Sequence, residues 1–313
     1  MEPIRPSLYW DDFERRIAET IAHVKYGLPL PVRRVAVFIT NQCNFRCGYC
    51  NNPRLGDTLP EEKFAEIVDK YGQTAIIHIT GGEPSVVPWL YPFLYEHCKD
   101  VRFHLNTNAY ICPPFQTVRR LKVSLDHYDS VYWDRLVGCK GAFDRVVANI
   151  KRSIPYTTVS ITYTLTHDNY RDAIKFAAFA KQEFPDAYAV FYSIYKGDDP
   201  TFAFTVEDAE TFFNEILPEL KDTLVGESRA LLHETIDEKR RLIQGIRFPQ
   251  NACKSPCYIS MSERVISPQG VESYCSHLYR DGIFHQQGER SDRCLYGCNR
   301  RLVKFNEQVE AYL

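Results

Sequence analysis

The sequence predicts an α/β protein, a parallel sheet with helices packed outside it. Three observations carry that expectation. Apolar runs of strand length recur at 34–40, 75–79, 101–105, 120–125, 157–165 and 187–194. Segments of helical period, among them 61–71, 142–153 and 169–183, fill most of the intervals, and strand alternating with helix is the pattern of a parallel sheet. A chain of 313 residues, 44% of them hydrophobic, can bury a large core.

In chain order, residues 9–26 place Trp10, Phe13, Ile17, Ile21 and Val24 at near-helical spacing and stop at Gly27, with Pro29 and Pro31 beyond. This predicts an amphipathic entry helix. The first strand run, 34–40, leads directly into a cysteine-rich loop, and the second ends at Thr80-Gly81-Gly82-Glu83-Pro84. Asn106 and Asn108 end the third, Ser124 and Asp126 the fourth, and Tyr192 and Tyr195 the sixth. The stretch 205–244 reads as two helices, the first capped by Thr205 with Asp208 three residues on. After Gly245 the pattern breaks into short segments around Pro249, Pro256 and Pro268. The expected organisation is an N-terminal helical extension at 1–32, a main domain at 33–245 and a small C-terminal domain at 246–313.

The loop after the first strand holds Cys43-Asn-Phe-Arg-Cys47-Gly-Tyr-Cys50. Three thiolates can hold three corners of a [4Fe-4S] cube, and the fourth iron is then open to a small molecule. The same positions are also i, i+4 and i+7 of a helix, so a buried cysteine stripe is the bland alternative. Asn41, Asn44, Gly48, Asn51, Asn52 and Pro53 crowd the stretch, however, and these are loop formers. A structural zinc site would offer paired C-x2-C arms, and no second pair lies nearby.

The C-x3-C-x2-C motif with aromatic Tyr49 before its last cysteine, followed by Gly-Gly-Glu-Pro after the second strand, resembles the radical S-adenosylmethionine (SAM) superfamily. The resemblance implies a partial (β/α)6 TIM-like barrel, and in barrels of this kind the site lies at the C-terminal ends of the strands. It also implies a [4Fe-4S] cluster on Cys43, Cys47 and Cys50, whose open iron is chelated by the methionine amino and carboxylate groups of SAM. One electron from the cluster then yields a 5′-deoxyadenosyl radical, so the protein's share is binding, orientation and exclusion of side reactions. An external donor such as flavodoxin or ferredoxin would supply the electron. Tyr49, Gly81, Gly82, Glu83 and Pro84 are implied cofactor contacts, the glycines by letting backbone approach a ligand closely. Asn108 and Ser124 are implied partners of the ribose or the methionine carboxylate. Tyr192 and Tyr195 either flank adenine or pack in the core.

Ser124-Leu-Asp126, with Asp134, Arg135, Gly138 and Phe143 beyond, resembles a further superfamily region. It departs from the usual pattern at His127, which stands where a glycine is common, and at Cys139. His127 could serve as a general base or only hydrogen-bond at a strand end. Cys139 could return a hydrogen atom to a substrate radical or lie buried and inert.

Five further cysteines, Cys253, Cys257, Cys275, Cys294 and Cys298, fall in the last fifth of the chain. Cys257, Gly270 and Cys275, then Cys294-Leu-Tyr-Gly-Cys298, resemble the ligand pattern of SPASM and twitch auxiliary-cluster domains. The resemblance implies one auxiliary [4Fe-4S] cluster on Cys257, Cys275, Cys294 and Cys298. Cys253 is left to replace Cys257, line a pocket or do nothing, and four thiolates would also suit zinc. A full set of four ligands favours electron transfer, as in enzymes whose auxiliary cluster accepts the electron left on a substrate radical.

A net charge of −2 carries no nucleic-acid footprint. No basic leader precedes an apolar stretch at the N-terminus, and no run spans a membrane. Eleven cysteines in such a chain argue for clusters in a reducing compartment, the cytoplasm, rather than for disulfides. Arg290, Arg293, Arg300, Arg301 and Lys304 read as a solvated face, with an anionic substrate as the minority reading. The expected activity is hydrogen abstraction from a small polar substrate, with dehydrogenation the first reaction to test. The lean towards a small molecule rests on the short segment before the first strand, which leaves little room for a peptide-recognition domain. A peptide maturase or epimerase shares every motif, and a non-catalytic iron–sulfur sensor is the rival from another class.

Overall fold

The computed structural model describes residues 13–50, 52, 56–195, 197, 199–236, 257–275, 279 and 300–313. Six strands pair in parallel and in chain order: β1 (Arg34–Thr40), β2 (Ile76–Gly81), β3 (Arg102–Thr107), β4 (Arg120–Ser124), β5 (Thr158–Leu165) and β6 (Ala189–Ile194). Between them run α2 (Glu61–Tyr71), α3 (Leu90–His97), α4 (Ser130–Val137), α5 (Ala142–Ser153) and α6 (Ala173–Glu183). This is the expected partial barrel. The interval from β3 to β4 has no helix, and it carries Cys112-Pro113-Pro114, where missing amide donors bar one.

Strand alternation decides what the barrel presents on each side. Val35, Val37, Ile39, Ile77, Ile79, Phe103, Leu105, Leu121, Val123, Val159, Ile161 and Tyr163 point outward into one core with Phe64 and Val68 of α2, Val146 and Ile150 of α5, and Phe176 and Ala177 of α6. The alternate residues face the lumen, and most are polar: His78 and Thr80 on β2, His104 and Asn106 on β3, Arg120, Lys122 and Ser124 on β4, Ser160 and Thr162 on β5. Each fully buried outward aliphatic or aromatic residue contributes about 1.5–3 kcal/mol. The apolar stability of the barrel therefore resides between sheet and helices, leaving the lumen to chemistry.

Several elements end differently from expectation. β2 and β3 run on to Gly81 and Thr107, past their apolar runs, because parallel pairing continues through Phe38–Thr80 and Thr107–Val123. The segment expected as one helix at 169–183 starts with a 3-10 turn, Tyr170–Asp172, before α6. Beyond β6, α7 (Val206–Thr211) opens with the expected capping box: Thr205 Oγ1 accepts from the Asp208 amide and the Asp208 carboxylate from the Thr205 amide. A π-turn, Phe212–Ile216, joins α7 to α8 (Leu217–Thr223), and Pro218, which has no N–H to donate, sits just beyond it. After α9 (Gly226–Thr235), residues 237–256 lie outside the described set.

The C-terminal segment joins the barrel's own sheet. β7 (Glu263–Ile266) pairs in parallel with β1 through Arg34–Glu263 to Val37–Ile266, and β8 (Glu272–Ser273) returns antiparallel to it. Gly270 holds φ +78° in the connecting turn, a conformation that excludes most side chains and accounts for the glycine between Cys257 and Cys275. The entry helix α1 (Phe13–Tyr26) packs on the terminal helix Arg300–Tyr312, with Phe13 edge-on to Phe305 at 5.3 Å. Arg16 of α1 is buried at 1% exposure and donates to Ser262 Oγ at 3.0 Å and Glu263 Oε1 at 3.2 Å. Arg34 reaches the other carboxylate oxygen of Glu263 at 3.3 Å.

One carboxylate thus neutralises two arginines at the junction of α1, β1 and β7. Removing its charge takes this counterion from both cations in a largely desolvated place, and breaking a buried pair in this way costs about 3–5 kcal/mol. Glu263→Gln should lower the urea midpoint accordingly, with an unchanged slope.

Candidate active site

The cysteine loop leaves the C-terminal end of β1 and is tied at both ends. On its return, Leu59 N donates to Ile39 O at 2.8 Å and Asn41 N to Asp57 O at 2.9 Å, so residues 57–59 lie alongside the end of β1. Phe45 is its anchor, buried between Tyr110 and Trp133 at centroid distances of 5.5 and 5.7 Å. That burial fixes the loop and leaves Cys43 and Cys47 half-buried and Cys50 exposed.

Two neighbouring turns clamp it. From β2, Gly82 N donates to Thr40 O at 2.7 Å and Glu83 N to Gln42 O at 2.8 Å. A Cβ on Gly82 would overlap the Gln42 carbonyl oxygen and lie 2.8 Å from that of Asn41, and one on Gly81, at φ +139°, would overlap the Thr40 carbonyl oxygen. The close approach that these glycines permit here is to the cysteine loop itself, a contact that the sequence reading did not foresee. From α4, the Val137 and Leu136 carbonyls accept from Arg46 N at 2.9 Å and Gly48 N at 3.2 Å. The helix's last carbonyls lack intrahelical partners, and here the cysteine loop supplies them.

Side chains complete the brace. Glu83 is buried at 1% exposure, its carboxylate accepting from Thr107 Oγ1 at 2.6 Å, Asn108 N at 2.6 Å and Ser85 N at 2.9 Å. Burial pushes its carboxyl above the usual range, and these three donors oppose that rise. Asn108, so positioned, donates from Nδ2 to Asn44 Oδ1 at 2.7 Å. Tyr49 donates its hydroxyl to Asp126 Oδ2 at 2.5 Å, and Asp126 Oδ1 accepts from Thr164 N at 2.6 Å. Glu83, Asn108 and Tyr49 thus join the cysteine loop to β3, β4 and β5. Pro84 starts a 3-10 turn, Pro84–Val86, that carries the chain away from Glu83.

The donor set fits an iron–sulfur cube. Burial pushes the Cys47 thiol far up, and Asp126, Cys50 and Cys43 push it further because each would add negative charge beside it. Three thiolates are thus disfavoured together until a cationic core neutralises them. The Cys43 sulfur already accepts from Phe45 N at 3.4 Å, the kind of N–H contact that tunes cluster sulfurs. Among the described residues no three His, Cys, Asp or Glu side chains gather as for a single metal ion; ligands of a cube bind separate irons and need not meet.

The model of a family described as the radical SAM superfamily matches residues 37–180, which hold all three cysteines, the glycine turn and the Asp126 brace. Over this segment the chain is similar to the radical SAM superfamily. It is 28% identical over 142 residues to a probable GTP 3′,8-cyclase of Halobacterium salinarum, covering 39% of each chain. It is 28% identical over 184 residues to the AdoMet-dependent heme synthase of Methanosarcina barkeri, covering 53% of this chain and 52% of that one. The chain therefore spans about half, or less, of these relatives. Streptococcus suis SuiB bound to precursor peptide SuiA superposes with a TM-score of 0.61 at 14% identity, over 92% of this chain and 69% of that one. The anSMEcpe enzyme with bound AdoMet and the Kp18Cys peptide gives 0.60 at 13%, over 88% and 83%. At such identities the likeness is one of fold.

Other residues singled out in the sequence fall differently within this radical SAM fold. Ser124 is exposed at the lumen end of β4, 3.5 Å from Thr162 Oγ1, where a ligand at the mouth can meet it. Tyr192 points outward: it is 1% exposed, packs on Tyr163 at 5.5 Å and donates to Ala173 O at 3.3 Å. Its core role overturns the adenine contact, since alternation gives the lumen to Phe191 and Ser193 instead. His127 has both ring nitrogens engaged, Nδ1 accepting from Asp129 N at 3.0 Å and Nε2 facing Asp172 Oδ2 at 3.3 Å. Its ring stacks on Tyr128, and burial holds its pKa below normal although Asp172 pulls the other way. It pins the β4 loop to the start of α6 and is not a base open to substrate. Cys139 packs against the outer core at the α4–α5 turn, the inert setting of a small apolar residue.

Of the second cysteine group, Cys257 precedes the short helix Tyr258–Met261 and Cys275 follows β8, both half-buried. Cys253, Cys294 and Cys298 lie outside the described residues. Asn44, Thr107 and the Leu136 and Val137 carbonyls were not expected in the site, and Asp126 was expected there only as part of the Ser124-Leu-Asp126 region. The hydrogen-bonding side chains among them are ordinary at strand ends, and backbone carbonyls leave no mark in a sequence.

Because Gly82 packs against the backbone of the cysteine loop, Gly82→Val should empty the first cluster before it affects anything else. Anaerobic iron counting should find about four irons lost per chain, by the stoichiometry of one cube. Full iron retention with only weaker SAM binding would argue against the packing role.

Proposed function

We propose that this chain is a radical SAM enzyme that takes a hydrogen atom from a small polar substrate, its oxidation assisted by one auxiliary [4Fe-4S] cluster. The single observation that supports the reading most is the clamp on the cysteine loop, in which β2, β3, β4 and α4 all hold one short segment. Cys43, Cys47 and Cys50 would hold the catalytic cluster. When bound, that cluster supplies the electron that cleaves the sulfonium of SAM. The chain's own residues fix where this happens. Ser124 and Asn108, at the end of β4 and just past the end of β3, would be the chain's partners for a cofactor seated on the loop. Phe202, edge-on to Tyr49 at 6.3 Å and to Tyr195 at 6.1 Å, packs against the loop at Gly48.

Cys257, Cys275, Cys294 and Cys298 would hold the auxiliary cluster, with electron transfer as its role. β7 and β8 support this by tying the segment to the edge of β1, the strand that leads to the first three cysteines. A labile pair of clusters suits a reducing compartment, and among the described residues no helix is long and apolar enough to cross a membrane. An external flavodoxin- or ferredoxin-type donor would deliver the electron.

Cys47→Ala should abolish 5′-deoxyadenosine formation in anaerobically reconstituted protein while leaving the auxiliary irons in place; unchanged formation in a folded variant would sink the assignment. Cys275→Ala separates the roles of the second cluster. If that cluster only accepts an electron, the variant should still form 5′-deoxyadenosine and lose product. Loss of both would mean that it positions the substrate, because a misplaced C–H bond also costs abstraction.

A further inference from the structure

The lumen below the cysteine loop holds a set of cations and unanswered hydrogen-bonding atoms that the reading above does not use. His104 pairs in register with Arg120, Asn106 with Lys122, and Lys122 with Ser160, so these side chains share one patch of the inner face. Within that patch His104 Nε2, Arg120 Nε, Asn106 Oδ1 and Ser160 Oγ are all buried without a hydrogen-bond partner among the described residues. Four such atoms on three adjacent strands are a large unmet demand, since a buried unpaired polar group costs about 1–3 kcal/mol. Asn106 now touches Thr80 Oγ1 through Nδ2 at 3.4 Å. Turning its amide over keeps that contact and presents two donors to the lumen. Every member of the patch can then donate.

Two cations lie in the patch, and Glu227 acts on Arg120 from outside it. Arg120 and Lys122 lie over the Phe191 ring at 5.0 and 4.8 Å, which holds both against the far wall of the lumen. Arg34 stands at the start of β1, shared with Arg16 on Glu263. Burial and the charges of Arg34, Arg120 and Lys122 keep His78 well below its usual pKa, and burial, Arg120 and Arg34 do the same to His104, leaving neutral imidazoles that can each donate one N–H. Arg120 itself is pulled down to about 10, chiefly by burial. An anion entering here would relieve both the cation crowding and the unmet donors.

We infer that the barrel lumen binds a phosphate or pyrophosphate group of the substrate, held by Arg120, Lys122, His104, Asn106 and Ser160. The inference rests on the radical SAM reading for the word substrate, but the anion site stands on its own geometry. A phosphate answers the patch better than a single carboxylate, because it brings up to two charges and acceptor oxygens in several directions. The position also sets a ruler. Lys122 lies two residues and Arg120 four residues before Ser124 at the mouth, so the reacting C–H would stand roughly 7–13 Å from the phosphate at the ordinary strand rise. That is the reach of a phosphorylated sugar or a nucleotide.

The test is calorimetric titration of the anaerobically reconstituted protein, without SAM, using inorganic phosphate, pyrophosphate and malonate as probes. Phosphate or pyrophosphate should bind more tightly than malonate and weaken as salt rises. Lys122→Gln and the milder Ser160→Ala should each retain the wild-type circular dichroism, and Lys122→Gln should weaken pyrophosphate by about tenfold or more, the effect of losing one charge-assisted hydrogen bond. A surface control, Lys151→Gln, should leave that affinity unchanged. Absence of phosphate and pyrophosphate binding, malonate binding as tightly as either, or pyrophosphate binding indifferent to both lumen variants would each overturn the proposal. Because no step depends on SAM cleavage, an enzyme inactive in radical formation but binding pyrophosphate would fail the functional reading and keep this one.

Discussion

Backbone hydrogen bonds reaching the cysteine loop from its neighbours are the constraint on which the rest of the structure depends. A segment with Cys, Asn and Gly at most positions has little intrinsic order, and its internal contacts, such as Cys50 N to Cys47 O at 3.1 Å and Phe45 N to Cys43 Sγ at 3.4 Å, are local ones. Its shape comes from Thr40 and Gln42 accepting from the β2 turn, and from Leu136 and Val137 accepting its Arg46 and Gly48 amides. Those partners can reach it only because Gly81 and Gly82 have no side chains and because α4 ends where it does. The position of α4 follows in turn from Asp129 capping its first turn and from Gly138 closing it in the left-handed conformation. Ordinary helix-capping chemistry thereby becomes the positioning device for three thiols.

The same logic separates what was legible in the sequence from what was not. The strand and helix order was legible because apolar runs, caps and breakers act locally, as with Thr205 and Asp208 or the halt at Gly27. The cysteine loop and the glycine turn were legible as a pair of motifs. What the glycines are for was not, because a contact between residues forty apart is a tertiary fact. Tyr192 and His127 show the limit for single residues. A tyrosine near a strand end faces either way depending on one register step, and a histidine is free or spent depending on whether a distant aspartate, here Asp172, happens to stand beside it.

The lumen pattern lies between these cases. Arg102-Phe-His-Leu-Asn106 and Arg120-Leu-Lys-Val-Ser124 alternate polar and apolar residues as plainly as any half-solvated strand. The period alone cannot say whether the polar face meets bulk water or the inside of a barrel. Only the burial of the apolar face under α2, α5 and α6 assigns the polar one to the interior. Charge that would be unremarkable on a surface then becomes a strong local field, since the same cations act across a medium of lower polarisability.

The pairing of β7 with β1 has a consequence for how the molecule could be divided. A six-stranded partial barrel ends at β1 with a row of unsatisfied amides and carbonyls, and an open edge of this kind recruits other chains. In this protein β7 covers that row and the two-residue β8 finishes it too briefly to template another strand. Cutting the chain before Cys257 would therefore not release a smaller barrel. It would uncover the edge beneath the cysteine loop and leave Arg16 and Arg34 without Glu263, so the product would be a sticky fragment rather than a module. Residues 263–273 behave as the closing seam of the barrel, because β1 relies on them for a neighbour.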